Sequence, residues 1–277
     1  MKNIILSVLF TAFFCLSLNA QTNIRQIDFN NFTYEPLCAS DDVKKVTVKE
    51  GEFFEEKQLE DFIDRFYFKA FSVAYGDLNG DGNDEAVVLA VCNMGGTGNF
   101  SEGFVYELKN RKPRLLTRIE GGDRAYGGLR EARVENGLLV VESNDASETG
   151  GSCCPEFAVT NRYKLSGGKL VTAGKSERRE IYPKQRVNLP KGTSGTTFKV
   201  TIPAGELKRF AVNARAGQIL TASVSSKDAF LRLIEDAEVT EGVNNFLARL
   251  RVNGDYTIEI HNNAETDLEI TVNIKIS

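Results

Sequence analysis

Short apolar segments separated by turn residues fill the C-terminal third of the chain and restrict it to antiparallel β-structure. In residues 268–276 every second side chain is leucine, isoleucine or valine, which predicts a strand with one buried face. Seven such segments follow residue 186, and their regular spacing favours a β-sandwich. They are residues 197–202, 208–214, 219–225, 229–234, 245–252, 256–261 and 268–276.

The N-terminal half has a mixed pattern. Four apolar residues recur at i, i+3, i+4 and i+7, the spacing of one helix face, so we expect one short amphipathic helix there. They are Leu59, Phe62, Ile63 and Phe66. Strands are expected at residues 69–76, 86–92, 103–108 and 115–119. The pair Asn136-Gly137 between apolar residues predicts a tight hairpin, and Gly167-Gly168 predicts a second turn.

The predicted fold class is therefore mainly β, with two domains. An α+β domain with one short helix is expected over residues 21–175, and a β-sandwich over residues 186–277. The charged residues 175–180 have no apolar periodicity, which places a linker at residues 176–185. A solvated strand end is the alternative interpretation of that run.

The first twenty residues have the pattern of a signal peptide. Lys2 precedes an apolar stretch at residues 4–18, and Ala20 is a small residue suited to cleavage. We expect cleavage after Ala20 and a secreted or periplasmic protein, with an uncleaved membrane anchor as the alternative. The longest later apolar run, residues 86–92, is too short to span a bilayer.

Charge and histidine content narrow the function classes. Lys and Arg number 34 against 38 Asp and Glu, a net charge of −4, so the chain lacks the basic character of a nucleic-acid-binding protein. His261 is the single histidine of the sequence. A histidine-rich metal site is thereby excluded, and any Ser-His-Asp or Cys-His chemistry would depend on that one residue. We therefore expect a protein that is not an enzyme.

Four cysteines remain after the expected cleavage. They are Cys38, Cys92, Cys153 and Cys154. An even number in an oxidising compartment predicts two disulfide bonds. Because adjacent cysteines seldom pair with each other, we expect Cys38 and Cys92 each to pair with one of the two others. A four-thiolate zinc site is the alternative, although the usual C-x-x-C hooks are missing.

The sharpest motif is a run of oxygen-bearing side chains around a glycine turn at residues 77–85. Side-chain oxygens recur at the first, third, fifth and ninth positions, Gly82 permits the sharp turn, and the seventh residue offers its carbonyl. This pattern is how a short loop surrounds a cation of the size of Ca²⁺. The expected ligands are Asp77, Asn79, Asp81, the Asn83 carbonyl and Glu85. An EF-hand would have a bidentate glutamate at its twelfth position, where this chain has Val88 inside an apolar segment.

Residues 75–88 resemble the calcium loop of FG-GAP and VCBS-type repeats, which occur in β-propellers and in bacterial surface proteins. The resemblance implies the same five ligands, with a structural calcium ion. The family usually has aspartate at the last position, so Asp84 is an alternative to Glu85. A propeller needs several copies and the chain has one, so a complete propeller is not expected.

The C-terminal segment resembles the bacterial pre-peptidase C-terminal domain, a β-sandwich attached to exported proteins. The resemblance rests on residues 210–220 and 254–260 and implies an accessory or binding role. Together the motifs predict an exported calcium-binding monomer that acts as a non-catalytic binding, adhesion-type or accessory module. Its expected partner is a protein or a glycan, not nucleic acid and not a membrane.

Two alternative functions stay open. An inhibitor of an extracellular hydrolase, such as lysozyme, would need a protruding loop, and residues 93–101 and 144–151 are the candidates. A carboxylate-based hydrolase would need two facing carboxylates in a concave pocket.

Overall fold

The computed structural model describes residues 23–38, 45–124, 126–145 and 155–277. The predicted signal peptide and the predicted partners Cys153 and Cys154 lie outside these described residues. What is described consists of short strands, nearly all antiparallel, and two 3-10 helices, Ile24–Gln26 and Phe29–Asn31. The mainly β fold class is therefore confirmed.

The chain divides into two compact units. Unit 1 takes in Met1–Ser143 and Thr160–Ser176, and unit 2 takes in Asn144–Val159 and Glu177–Ser277. Unit 2 thus takes in residues 144–159 and 177–185 in addition to the predicted sandwich, which was expected to begin at residue 186. The segment expected to be a linker, residues 176–185, contains a strand at Glu177–Glu180. Its backbone is held in part by a hydrogen bond from the Ile181 N–H to the Glu156 carbonyl (2.8 Å).

Unit 1 contains eleven strands in the described residues. They are β1 (Thr33–Tyr34), β2 (Val46–Thr47), β3 (Glu52–Gln58), β4 (Ile63–Gly76), β5 (Glu85–Asn93), β6 (Phe100–Lys109), β7 (Lys112–Asp123), β8 (Leu129–Glu135), β9 (Leu138–Asn144), β10 (Phe157–Ser166) and β11 (Lys169–Thr172). Strands β3 to β7 form an antiparallel meander, called the main sheet below, and β11-β10-β9-β8 form a second sheet. Strand β10 begins within unit 2 and ends in unit 1.

Strand β5 is the centre of unit 1, because its two faces belong to two different cores. Ala86, Val88 and Ala90 pack with the N-terminal segment, residues 24–48. Val87 and Leu89 pack with side chains of β8, β9 and β10. Burial on both faces explains why the sequence of β5 is a continuous apolar run without polar alternation.

The predicted helix is wrong. Residues 59–62 form the turn between β3 and β4, closed by the Leu59 N–H donating to the Phe62 carbonyl (2.9 Å). Of the four apolar residues only Phe66 is buried, whereas Leu59, Phe62 and Ile63 are exposed. The helical spacing arises from a turn followed by a strand, and pairing of β4 with both β3 and β5 overrides it.

Both predicted hairpin turns are confirmed. Asn136 and Gly137 join β8 to β9 with φ values of 51° and 75°. Gly167 and Gly168 join β10 to β11 with φ values of 57° and 74°. Two consecutive left-handed residues match the right-handed twist of the flanking strands, which is why asparagine and glycine occupy these positions.

Unit 2 is a β-sandwich. Its first strand, β12 (Glu177–Glu180), belongs to neither sheet of the sandwich. The strands of the sandwich are β13 (Lys184–Arg186), β14 (Gly195–Ile202), β15 (Leu207–Ala214), β16 (Ile219–Val224), β17 (Ala229–Leu233), β18 (Ala237–Glu241), β19 (Asn245–Leu250), β20 (Gly254–Asn262) and β21 (Leu268–Ile276). One sheet has the order β13-β15-β20-β17 and the other β14-β21-β16-β19-β18. Alternate residues of both enclose one apolar core. All seven strands expected from the sequence are present, while β13 and β18 lack an apolar face and were not expected.

Candidate functional site

The predicted calcium loop connects β4 to β5 at one end of the main sheet. Leu78, the second residue of the loop, is 2% exposed and packs into the core that β5 shares with β8 and β9. Glu85, the last residue, is the first residue of β5. The loop is therefore anchored by an apolar side chain near its start and by the sheet at its end.

The Asp77 carboxylate organises the loop. It accepts hydrogen bonds from the backbone N–H groups of Gly80 (2.7 Å), Asp81 (3.2 Å) and Gly82 (2.9 Å). Gly80 and Gly82 have φ values of 80° and 85°, which only glycine adopts without strain. Both glycines are thus required by the path of the backbone around the carboxylate of Asp77.

Glu85 is buried at the base of the loop. The residue is only 1% exposed. Its carboxylate accepts hydrogen bonds from the Leu78 N–H (2.8 Å) and the Asn79 side-chain amide (2.7 Å). The pKa of Glu85 is raised to about 7, mainly by burial and also by the nearby carboxylates of Asp81 and Asp77, while the hydrogen bonds from Leu78 and Asn79 oppose the shift. Within the described residues no Lys, Arg or His nitrogen forms an ion pair with Glu85.

Asp84 faces a different neighbour from Glu85. Its Oδ2 accepts a hydrogen bond from Arg25 Nε at 2.6 Å, and the Arg25 guanidinium also lies over the Tyr75 ring, 5.0 Å from its centre. Asp84 is therefore engaged by Arg25, and its role as an alternative last ligand stays a prediction. Glu85 is the better placed of the two.

The predicted ligand atoms are all oxygens, the atom type that calcium prefers: four belong to side chains and one to a backbone carbonyl beside the glycine turn. Across the described chain, however, no three His, Cys, Asp or Glu side chains are gathered as a metal-binding group. Asp77 and Asp81 direct carboxylate oxygens at backbone N–H groups instead, Asp81 towards Asn83 at 2.8 Å. Calcium binding by Asp77, Asn79, Asp81, Asn83 and Glu85 stays a prediction.

The two described cysteines pair with each other, which corrects the expected pairing with Cys153 and Cys154. Cys38 and Cys92 form a disulfide with their Cα atoms 6.6 Å apart. Both side chains belong to the core between the N-terminal segment and β5. Their sequence separation of 54 residues gave no indication of this proximity.

Beside this disulfide is a cavity of about 460 Å³ in unit 1. Its lining consists of Leu37, Cys38, Cys92, Met94, Phe100, Ser101, Glu102, Arg118, Ile119, Glu120 and Gly121. Apolar side chains dominate, which together with the volume is typical of a binding site.

An ion pair between a buried glutamate and a partly exposed arginine borders the cavity. Arg118 donates to Glu102 (2.8 Å) and to the Glu35 carbonyl (2.6 Å), and Glu102 also accepts the Leu37 N–H (2.9 Å). The Arg118 guanidinium lies 4.9 Å from the centre of the Phe104 ring. Burial raises the pKa of Glu102 even though Arg118 opposes that shift. The pair joins the segment before Cys38 to strands β6 and β7.

Exposed apolar side chains gather at the same end of the main sheet, which we call the apolar end. Eight of the sixteen large apolar side chains exposed in the described residues lie there. They are Leu37, Phe54, Leu59, Phe62, Ile63, Met94, Phe100 and Tyr126. The calcium loop occupies the opposite end, because β4 ends and β5 begins there.

The β3–β4 hairpin extends beyond the rest of the main sheet. Pairing of β4 with β5 starts at Tyr67 opposite Asn93, so residues 63–66 pair with β3 alone. Residues 55–66 thus form a two-stranded ribbon. This ribbon carries five acidic and two basic side chains, a net charge of −3. Within this ribbon Phe66 is buried in the core of unit 1, and Gly95 lies close to the backbone of Arg65. Phe62 is 60% exposed, so its side chain adds little to the stability of the ribbon.

The connection between β5 and β6, predicted as a surface loop, is internally braced. The Asn93 side-chain amide donates to the carbonyls of Gly96 (3.0 Å) and Gly98 (2.8 Å) and to Asn99 Oδ1 (3.0 Å). The Asn99 N–H donates to the Asp123 carboxylate (2.8 Å). The other candidate loop, residues 144–151, falls largely outside the described residues.

His261 lies on the outer face of the sandwich in unit 2. Its Nε2 is 3.2 Å from Glu259, which also accepts hydrogen bonds from Arg209 (2.8 Å) and Arg232 (2.6 Å). Burial would raise the pKa of Glu259, but hydrogen bonds from Arg209, Arg232 and His261 outweigh it and hold the pKa below its ordinary value. The carboxylate of Glu259 is therefore already engaged by three neighbouring side chains.

Sequence reasoning missed the apolar end and the Glu102–Arg118 pair. Two signals could have indicated them: the pair Phe53-Phe54 beside acidic residues, and Met94 and Phe100 flanking a glycine-rich loop. Neither has a spacing that points to a site, because the residues meet only when the strands align.

The sequence matches no protein-family model and no curated protein. Among solved structures the chain is similar in part to PliG of Aeromonas hydrophila, described as a periplasmic lysozyme inhibitor of g-type lysozyme, at 16% identity and a TM-score of 0.31 over 34% of this chain and 96% of that one. PliG of Salmonella Typhimurium matches at 19% identity and a TM-score of 0.30 over 34% and 97%. The resemblances to calcium-loop repeats and to the pre-peptidase domain stay predictions. No helix in the described residues has the length and apolarity to cross a membrane.

Proposed function

We propose that the protein is an exported, calcium-stabilised binding module that engages a protein partner through the apolar end of unit 1, without catalysis of its own. The observation that carries this proposal is the concentration of exposed apolar side chains at that end. Clustered exposed apolar side chains on a folded protein often mark a surface that another molecule covers. The cavity beside Cys38–Cys92 opens among the same side chains and would accept an apolar side chain of the partner.

Charge favours a partner with basic residues around an apolar surface. The ribbon of residues 55–66 surrounds Leu59, Phe62 and Ile63 with a net charge of −3. Opposite charge around an apolar centre raises association rates and selects partners. An anionic membrane surface would be repelled by the same charges.

Export is supported by two independent features. Residues 1–20 have the composition of a signal peptide. The Cys38–Cys92 disulfide is of the kind that persists in an oxidising compartment such as the periplasm or the cell exterior.

The calcium part of the proposal is supported by Glu85. A buried carboxylate without a cationic partner is costly, and a divalent cation held between Asp77, Asp81 and Glu85 would remove that cost. Calcium there would fix the junction of β4 and β5 and, through β5, the framework of the apolar end.

A non-catalytic role is supported by the neighbours of the other buried carboxylates. Glu102 pairs with Arg118, and Glu259 pairs with Arg209 and Arg232. Carboxylates neutralised in this way stabilise the fold and are poor general acids or bases.

Site-specific photo-crosslinking in the producing cells tests the proposal. A photoreactive phenylalanine analogue replaces Phe62, and in the control it replaces Val243, which is 83% exposed in unit 2. We expect one dominant crosslinked protein from position 62 and none from position 243. The proposal is wrong if the two positions give the same products or if position 62 gives none.

The braced β5–β6 loop favours a second candidate, inhibition of an extracellular hydrolase. A loop that enters an enzyme cleft must keep its shape, and Asn93 holds residues 96–99 with three hydrogen bonds. The test is inhibition of a panel of extracellular hydrolases that includes g-type lysozyme. The wild type should inhibit one of them, Met94→Asp should lose that inhibition, and Val243→Asp should retain it.

A further inference from the structure

The outer face of one sheet in unit 2 forms a broad, open groove of about 860 Å³. We propose that this groove binds an uncharged oligosaccharide. Half of its lining residues bear a hydroxyl or an amide: Ser194, Thr196, Thr197, Thr221, Ser223, Asn245 and Asn273. Lys275 carries the one formal charge in the lining, in a protein with more acidic than basic residues.

The polar groups stand in register across four strands. Thr197 on β14 lies opposite Asn273 on β21, and Asn273 lies opposite Ser223 on β16. Ser223 in turn lies opposite Asn245 on β19. Neighbouring strands are about 4.8 Å apart, so the row offers hydrogen-bonding groups at regular intervals over roughly 14 Å. A chain of sugar units lying across the strands would meet one such group at each step.

The row has hydrogen-bonding capacity that the protein itself does not use. The Thr197 hydroxyl donates to Asn273 Oδ1 at 2.6 Å, and within the described residues the Asn273 amide N–H groups make no hydrogen bond. Within the described residues the side chains of Ser223 and Asn245 make no hydrogen bond. Asparagine amides can donate and accept together, which matches the paired hydroxyl groups of a sugar ring.

The other sheet of unit 2 provides the contrast. On its outer face Asp255 is held by Arg186 (2.7 Å) and Asn213 (2.8 Å), and Glu259 is held by Arg209 and Arg232. Polar groups there satisfy one another, and a ligand would have to break those bonds. On the groove face the side chains of Ser223 and Asn245 make no hydrogen bond within the described residues, and Lys275 is the one charged residue of the lining, which favours a neutral ligand.

Apolar surface in the groove suits the C–H faces of sugar rings. Leu247 is 43% exposed in the groove, and Pro190 forms part of its wall. Gly195, which also lines the groove, leaves no room for a side chain, because a Cβ atom there would lie 2.8 Å from the Ile274 carbonyl. This site is in unit 2 and is independent of the protein-binding end proposed for unit 1.

The experiment is a titration of the protein, isotopically labelled for NMR, with three neutral hexasaccharides: chitohexaose, cellohexaose and maltohexaose. We expect at least one to shift the amide signals of β14, β16, β19 and β21 in a saturable manner. Asn245→Ala and Asn273→Ala should each weaken binding by about tenfold, the loss of a ligand hydrogen bond. Lys199→Ala, on the same sheet beyond Thr197, should bind as the wild type does.

Several outcomes would overturn the proposal. They are no saturable shifts with any of the three sugars at millimolar concentration, unchanged affinity in both asparagine variants, and stronger binding of an oligogalacturonate than of the neutral sugars. Both asparagines are exposed, so we expect neither variant to lower the unfolding temperature. Thermal unfolding of each variant checks that weaker binding does not come from loss of the fold.

Discussion

Arg25 and Asp84 are 59 residues apart in sequence, and Arg25 Nε donates to Asp84 Oδ2 at 2.6 Å. This ion pair holds the N-terminal 3-10 helix against the outside of the calcium loop. The neighbouring carboxylate, Glu85, is buried inside the loop instead. Two adjacent acidic residues therefore have separate roles, one in packing the N-terminal segment and one in the proposed ion site.

Calcium should stabilise the mature protein, and this effect should depend on Asp81. At a calcium concentration about 100 times the Kd, binding to the folded state alone adds about 2.7 kcal/mol to the free energy of unfolding. The measurement is thermal unfolding in calcium and in EDTA. Asp81→Ala should lose the difference, and Asp84→Asn, which removes only the pair with Arg25, should keep it. Equal midpoints for the wild type in calcium and EDTA would contradict the calcium site.

In EDTA the stability of the wild type should fall as the pH rises from about 4.5 to about 7. The pKa of Glu85 is raised from 4.5 to about 7 in the folded state, so within this window the folded protein binds more protons than the unfolded chain. Glu85→Gln should remove this dependence and gain about 2–3 kcal/mol at neutral pH. Urea unfolding at several pH values measures it. A wild-type stability that rises through the same window would show that burial of Glu85 is not the dominant effect.

The sequence predicted those features that depend on neighbours in the chain. Alternating apolar and polar residues predicted the seven sandwich strands, and Asn136-Gly137 predicted a hairpin. Both patterns depend on local backbone geometry. The helix at residues 59–66 failed because a turn and a strand can reproduce helical spacing by coincidence. The pairing of Cys38 with Cys92 and the approach of Leu37 to Met94 at one cavity depend on which strands align, and a single sequence does not contain that information.

The disulfide pairing can be checked by peptide mapping without reduction. A proteolytic fragment containing Cys38 should be linked to one containing Cys92. Replacing both by serine should destabilise the protein by about 2–4 kcal/mol, because the bond closes a long loop in the unfolded chain. A fragment that joins Cys38 to Cys153 or Cys154 would restore the pairing expected from the sequence.

The Glu102–Arg118 pair should behave as a partly buried ion pair beside the cavity. Arg118→Met should cost about 1–3 kcal/mol, because the buried Glu102 would lose its cationic hydrogen-bond donor. The double variant with Glu102→Gln should recover much of that loss. Chemical unfolding of the four proteins of this cycle measures the coupling. Additive losses in the double variant would mean that the two side chains act independently.

Phe62 and Phe66 distinguish the hairpin from the helix that their spacing suggested. On a helix, residues four apart would share the buried face, and both alanine variants would be destabilising. In the structure Phe62 is 60% exposed at the tip and Phe66 is 9% exposed on β4. Phe66→Ala should therefore cost about 3 kcal/mol, whereas Phe62→Ala should change the free energy of unfolding by less than about 0.5 kcal/mol. Urea unfolding of both variants measures this, and equal losses would contradict the hairpin. A Phe62 that contributes nothing to folding, yet is required for crosslinking to a partner, would assign its apolar surface to binding.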